Sequence, residues 1–508
     1  PPRAKALLLA IPVRLFSHAL VFAIASCALP ARRSMDPPKP SAATLFITSD
    51  LRGSLAPCGC SQLMRGGVAK IAAQLDAERA SAATHKAVFY IDSGNTFFAQ
   101  PHVPAEAMPQ HTLQALAMSK ALNAMSVNVH GSGSLDEVLG TSFRETIDGK
   151  KLLPDEFTLL REAAQTIAVL SASSAESMRK QARSARAQGA VFVLALIGDR
   201  FESTLQSLES ASEIDLIVTR APLDELQGEH NRSAGTKTRV VQLQTKGRSI
   251  LRVDLNIPNA NRLRWEKGNS ETEREIDAID RRIEILRAAV NEPMLSTELK
   301  DMRMSKVEEL LARRQHLIDR PIDRPASENW AALQFIPIEA TLPKSTRVAE
   351  IEADFDRQVG QLNLRWAQAH GTQCEPPSNE VPGYVGNEPC AQCHVAEAAF
   401  WSKTKHAQAY EDLSSVGKQY HLDCVSCHVT GWKQPGGVCR IDVTYARRGV
   451  GCESCHGPGF SHVAKPEKST ILRKPSESTC IACHDKTNSP HFSYATWIEK
   501  IVGEGHGK

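Results

Sequence analysis

Between residues 43 and 258 the chain alternates short apolar runs with longer Ala-rich stretches. The runs TLFITS, AVFYID, TIAVLSA, AVFVLALIG, IDLIVT, RVVQLQ and ILRVDL have the length and β-branched content of strands. Between them, segments such as VAKIAAQLDAERA and TLQALAMSKALNAM carry the composition of helices. Strands alternating with helices predict an α/β domain over residues 43–260.

The pattern changes at Ser270, where a capping box with Glu273 opens a helix. Its apolar residues Ile276, Ile279, Ile283, Leu286 and Val290 step by three and four, the seam of a coiled coil. Asn291-Glu292-Pro293 breaks it, and a second helix from about Ser296 to Asp319 predicts an antiparallel hairpin within residues 261–325. A further amphipathic helix, with Val348, Ile351, Phe355 and Leu362 on one stripe, is expected in a linker over 326–381. Beyond Pro382 strand patterns fade and Gly, Pro, His and Cys accumulate. Without a cofactor such a segment would struggle to bury an adequate core.

Composition narrows the choices. A chain of 508 residues with formal charge +3 calls for more than one domain and carries no nucleic-acid footprint. Of its 13 cysteines nine lie from Cys390 onward, as do nine of its 17 histidines, so a metal or cofactor module is expected at the C-terminal end. At the other end Arg3, Lys5 and Arg14 precede the apolar run LFSHALVFAIASCALP, too short to span a bilayer but suited to a secretory signal over residues 1–27. The tetrapeptide IASC resembles a lipobox, which would make Cys27 a lipid anchor ahead of a Pro-rich linker at 28–42. A periplasmic or cell-envelope location follows as the expectation.

Four copies of Cys-x-x-Cys-His stand in the last quarter: Cys390/Cys393/His394, Cys424/Cys427/His428, Cys452/Cys455/His456 and Cys480/Cys483/His484. Two thiols on a tight turn reach the two vinyl groups of one haem as thioethers, while the adjacent imidazole binds iron beneath the ring. Four covalently bound haem c groups are therefore expected. Zinc ribbons, built from paired cysteines alone, leave the trailing histidines unexplained, and export disfavours free thiolates. Distal ligands could come from His406, His421, His462, His491 or His506, and the spacing leaves the choice open. Two imidazoles saturate an iron and suit electron relay, whereas one leaves a face open.

The run YVGNEPCAQCHVAEAAFWSKTKHAQAYEDL, followed by CVSCHVTGW, GVGCESCHGPG and CIACHDKTNSPHF, resembles the cytochrome c554 family of tetrahaem electron carriers. That resemblance implies His406, His462 and His506 as distal ligands to the third, first and fourth haems. It leaves the second, at His428, without a matching histidine, a place for which His421 and His491 are candidates here. It also implies haems in parallel stacked pairs.

The α/β region resembles the calcineurin-like metallophosphoesterase domain of periplasmic 5′-nucleotidases through LFITSDLRGSLAPCGC, VFYIDSGNTF, ALNAMSVNVHGSGSLD and EIDLIVTRAP. The resemblance implies a two-metal site, yet the ligands are mostly gone. Asp50 stands, but Arg52 replaces a histidine, Gly94-Asn95 replaces Gly-Asp, HGSGSLD replaces Gly-Asn-His-Glu, and VTRA replaces the final Gly-His-x-His. His130 and Asp92 are expected in packing roles, and a working phosphatase is not expected. Outside the haem motifs, Cys374 and Cys439 are a plausible disulfide pair and Cys58 and Cys60 are unassigned.

The fold class expected is thus multidomain: a metallophosphoesterase-like α/β sandwich, a helical hairpin, a linker with an amphipathic helix, and at 382–508 a mainly helical or irregular multihaem cytochrome c fold. The expected function is electron relay, without a catalytic residue and with redox proteins as partners. Self-association through the hairpin and membrane attachment at Cys27 are the other contacts expected. Two alternatives are an oxidoreductase acting on a small nitrogen compound at the second haem, and an active nucleotidase fused to a cytochrome.

Overall fold

The computed structural model describes residues 42–57, 64–82, 86–162, 165–172, 174–198, 213–221, 230–234, 238–259, 263–265, 296–319, 327–485, 488–489, 492–503 and 506, with scattered residues between 275 and 290. The expected signal, the anchor at Cys27, the Ser270 capping box, Cys58, Cys60 and His491 lie outside the described residues.

In chain order the strands are β1 (Ala42–Thr48), β2 (Lys86–Asp92), β3 (Val129–His130), β4 (Lys150–Lys151), β5 (Glu156–Glu162), β6 (Gln165–Ser171), β7 (Phe192–Ile197), β8 (Leu216–Thr219), β9 (His230–Ala234), β10 (Thr238–Gln242), β11 (Ser249–Asn256), β12 (Arg264–Trp265) and β13 (Trp330–Pro337). They form two sheets. The first runs β12-β13-β11-β1-β2-β3-β4, the second β5-β6-β7-β8-β10-β9. In β1, Leu45 pairs with Phe89 of parallel β2 and with Val253 of antiparallel β11. Side chains alternate across that sheet. Leu45, Ile47, Phe89 and Ile91 meet Ile167, Val169, Leu194 and Val218 of the second sheet, and this dry layer makes the sandwich interior.

The outer faces are covered by helices α1 (Val68–Ser81), α2 (Met108–Ala124) and α3 (Ala175–Ala187). Phe46 and Tyr90 face α1 and α2, while α3 packs Met178, Ala182 and Ala185 onto the second sheet. Next come α4 (Thr297–Asp319), whose Val307 meets Ile279 and Ile283 to join the two arms of a hairpin, and α5 (Thr346–His370).

The segment expected to be a linker belongs to the α/β domain instead. β13 adds to β11 in full antiparallel register, Leu251 opposite Phe335, and α5 sinks Val348, Phe355 and Val359 into the core beside α1 and α2. The domain therefore runs past residue 260, with the hairpin inserted between its last strands. The stripe on α5 steps by fours toward Asn363 and Ala367, leaving Leu362 at its margin.

From Asn387 onward the helices are short, and several, including Asn387–Cys393, Val395–Trp401, Glu477–Ile481 and Tyr494–Ile501, bury no side chain fully. Among the described residues only a small cluster, with Tyr410, Val425, Val429, Val438 and Ile441, forms a polypeptide core there, and it includes Ala367 of α5. Cys374 and Cys439 form a disulfide across 65 residues, as expected. Among the described residues no helix is long and apolar enough to cross a membrane.

Candidate functional site

Each Cys-x-x-Cys-His motif occupies one helical turn or its exit. The first lies on Asn387–Cys393, the second on Leu422–His428, the third on Cys452–His456, and the fourth leaves Glu477–Ile481. All eight motif cysteines stand outside any disulfide, with at least part of their surface open. Thiols of different motifs lie side by side: Cys390 with Cys452, and Cys427 with Cys483. These are pairs across motifs; among the described residues no three or more His, Cys, Asp or Glu groups converge on a metal position.

Three of the motif imidazoles are oriented through Nδ1. His428 donates to the carbonyl of Ala409 at 2.5 Å and His456 to that of Leu472 at 2.7 Å, while Nδ1 of His484 lies 3.0 Å from the Ser489 hydroxyl. A carbonyl can only accept, so Nδ1 of His428 and His456 carries the proton and Nε2 is left as the ligating atom. Outside the motifs, His462 has the same arrangement, with Nδ1 3.1 Å from the Glu467 carbonyl and 3.1 Å from the Thr470 hydroxyl.

Opposite three motif histidines stands a second imidazole. Ring centroids of His394 and His462 are 6.4 Å apart, those of His484 and His406 6.1 Å, and those of His456 and His506 6.5 Å. Two imidazoles on one iron, with metal–nitrogen bonds of about 2 Å, hold their centroids about 6 Å apart. All three pairs meet that distance. Burial holds His406 and His484 below the usual histidine range, His406 also through the nearby His484. The neutral, ligating form is thereby favoured. The residues present fit haem.

His462 faces the first motif. His406 faces the fourth motif and His506 the third, the reverse of the expected order. The path of the chain explains it. Tyr494 on the last helix bonds the carbonyl of Pro475, which ends the loop whose Leu472 holds His456, so that helix delivers His506 to the third motif. His406 is fixed from the other side by Val450, whose N–H donates to its carbonyl. His421 is committed elsewhere, edge-on to Phe355 and 3.5 Å from Asp356 on α5. His428 has no facing imidazole among the described residues.

The family described as cytochrome c554 and c-prime matches residues 389–457. This module resembles the cytochrome c554 family. Cytochrome c-554 of Nitrosomonas europaea is 40% identical over 91 residues, 15% of this chain and 39% of that protein. The chain thus spans less than half of this curated relative, and the likeness implies covalently attached c-type haem in the c554-like module. Among solved structures, a Thermus thermophilus sulfate thiohydrolase SoxB is 15% identical, with 65% of this chain and 62% of that one covered at a TM-score of 0.42. A 5′-nucleotidase precursor from the same organism is 12% identical, with 74% and 68% covered at 0.40.

The α/β domain gathers its altered positions into one buried cluster at the ends of β1, β2, β3 and β8. Asp50 accepts from Ser49 at 2.7 Å, from Asn95 at 3.0 Å and from the Ala221 N–H at 2.9 Å, with Arg52 3.5 Å away. Burial pushes its carboxyl up, and Arg52 pulls it partly back. Arg220 donates to the Ser93 carbonyl at 2.5 Å. Asp92 bonds His130 at 2.9 Å and the hydroxyls of Thr48 and Thr96. Burial alone would raise Asp92, but His130 and the two hydroxyls carry it below the carboxylate range. Asp50, Arg52 and Asn95 all adopt left-handed backbone, at about 1 kcal/mol each. Two guanidinium groups, from Arg52 and Arg220, thus stand among the acids.

Proposed function

We propose that the chain is an exported tetrahaem c-type cytochrome that relays electrons, with the α/β domain as its scaffold. The observation that carries this reading is the set of three imidazole pairs held at iron-spanning distance beside thioether-forming cysteines. In this reading Cys390, Cys393, Cys424, Cys427, Cys452, Cys455, Cys480 and Cys483 attach four haems. His394, His428, His456 and His484 are proximal ligands; His462, His506 and His406 complete the first, third and fourth sites. Haem supplies reversible one-electron exchange between ferric and ferrous iron. The chain's part is to fix His428, His456, His484 and His462 by their Nδ1 bonds, to exclude competing ligands at three sites, and to hold the motifs against one another.

In the α/β domain Arg52 and Arg220 supply the positive charge that two metal ions would otherwise bring, so phosphoester hydrolysis is not its role. The proposed location is the periplasm or cell envelope, with Cys27 as lipid anchor and redox proteins as partners. Self-association through the hairpin would use its exposed Ile285, Leu299 and Met302. The deciding experiment is intact mass with an absorption spectrum on protein matured by the cytochrome c attachment machinery. Four haem masses and a largely low-spin spectrum are expected; a colourless or zinc-bearing product overturns the reading.

A second reading, reaction of a small nitrogen compound at the second haem, is favoured by one observation: His428 lacks a facing imidazole among the described residues. Carbon monoxide added to the reduced protein would perturb one haem in four if that face is open.

A further inference from the structure

The segment that leads into the second motif is gripped by the α/β domain. Gln110, on α2 and buried, accepts at one oxygen from the Leu422 N–H at 3.0 Å and from the Asn363 amide of α5 at 2.6 Å. Its own amide donates to Asp423 at 2.9 Å. The remaining hydrogen of the Asn363 amide reaches the Tyr420 carbonyl at 2.8 Å. Asp356 of α5 pairs with Lys418 at 3.2 Å and lies 3.5 Å from His421; Nε2 of His111 lies 3.6 Å from Asp423. Every residue from Lys418 to Asp423 except Gln419 is thus held by α2 or α5.

Leu422 is the first residue of the helix that carries Cys424, Cys427 and His428, and the residue before it, His421, makes no side-chain cap. The first N–H groups of a helix have no partner within it. Here the missing acceptor comes from a glutamine 312 residues away in sequence. The first and third motifs are built differently, from within their own module: Asn387 bonds the Cys452 N–H, and Glu453 takes the N–H groups of Val385, Gly386 and Gly459.

We infer that Gln110 is a positioning residue for the second haem, so that the α/β domain sets the orientation of the one proximal imidazole, His428, that has no facing histidine among the described residues. The inference rests on the haem reading above and adds to it a route by which the α/β domain acts on one haem alone. Substituting the capping side chain would let the helix shift against α2 and tilt His428 against the iron, while the first and third motifs keep their own supports.

The test compares fully matured Gln110→Leu with Met118→Ala, a cavity in the same helix that touches the core and not the module. Redox titration followed by absorption and electron paramagnetic resonance resolves the haems, and a Cys424→Ala, Cys427→Ala chain identifies the second by its loss. The expected result is a shifted midpoint and altered signal for that haem alone in Gln110→Leu, with all four unchanged in Met118→Ala. An unchanged Gln110→Leu, or equal shifts in both variants, overturns the inference. If Gln110→Leu does not accumulate, Asp423→Ala, at a half-exposed position, removes one of the same bonds and should shift the same midpoint less; no shift there overturns the inference as well. A colourless wild-type product would instead sink the haem reading itself.

Discussion

Glu453 stands between the two cysteines of the third motif, almost fully buried, and takes three backbone N–H groups from two other segments at 2.7 to 2.9 Å. An ionised carboxylate has the acceptor sites for all three; an amide has half of them and adds two donors. Glu453→Gln is expected to cost about 2 kcal/mol by leaving backbone groups unpaired, read as a lower urea midpoint at unchanged slope. The crossed ligand pairing gives a second expectation at this scale. His406→Ala should open the haem at His484, and His506→Ala the haem at His456; magnetic spectra of each variant, referenced to chains lacking one motif's cysteines, would show the opposite order if the pairing described above is wrong. Residue by residue, the motifs were legible because thioether attachment is a local demand on five consecutive positions. The pairing was not, since which imidazole faces which depends on where the loop at 465–475 and the last helix run. Gln110 carried no signal at all: a glutamine in the first turns of a helix has many uses, and only the fold brings it to Leu422.

Among the elements, the strands rich in Val, Ile, Leu and Phe were readable, and β13 was not. Its sequence, Trp-Ala-Ala-Leu-Gln-Phe-Ile-Pro, lacks a clean alternation and stays mostly half-buried, because it lies toward the edge of its sheet with only the two-residue β12 beyond it. On the adjoining strands, Arg252 and Asp254 of β11 meet Glu78 of α1 and Lys86 of β2. Burial would raise Asp254, but the bond and charge of Arg252, with Lys86, bring it down to about 2. A depressed carboxyl stabilises the fold above its unfolded pKa near 4, and that stability disappears as pH falls from there through about 2. The expected contribution is about 2 kcal/mol at neutral pH. Asp254→Asn should therefore lower stability at pH 7 and lower it by only about a third as much at pH 2.5, measured by urea unfolding of the two proteins at both values.

At the scale of the whole molecule, the α/β domain is completed by residues that follow the hairpin, and the second motif is capped by residues that precede it. A fragment ending at residue 260 would expose the edge of β11 and the core surface under α5; one ending at 372 keeps both covered. The shorter fragment is expected to form large, polydisperse aggregates in light scattering and the longer one to go no further than a discrete oligomer through its hairpin, since an unpaired edge strand recruits other chains. A monomeric shorter fragment would contradict the role given to β13. The position of that strand also has a consequence in time. In the exported chain proposed above the N-terminal end emerges first, so the sheet waits, short of β12 and β13, until the hairpin has come through. Only when Pro337 has emerged can it close, and the four cysteine pairs come out later still. Each haem is then presented to a neighbour that has already finished folding, and a slow hairpin would delay colour as well as shape.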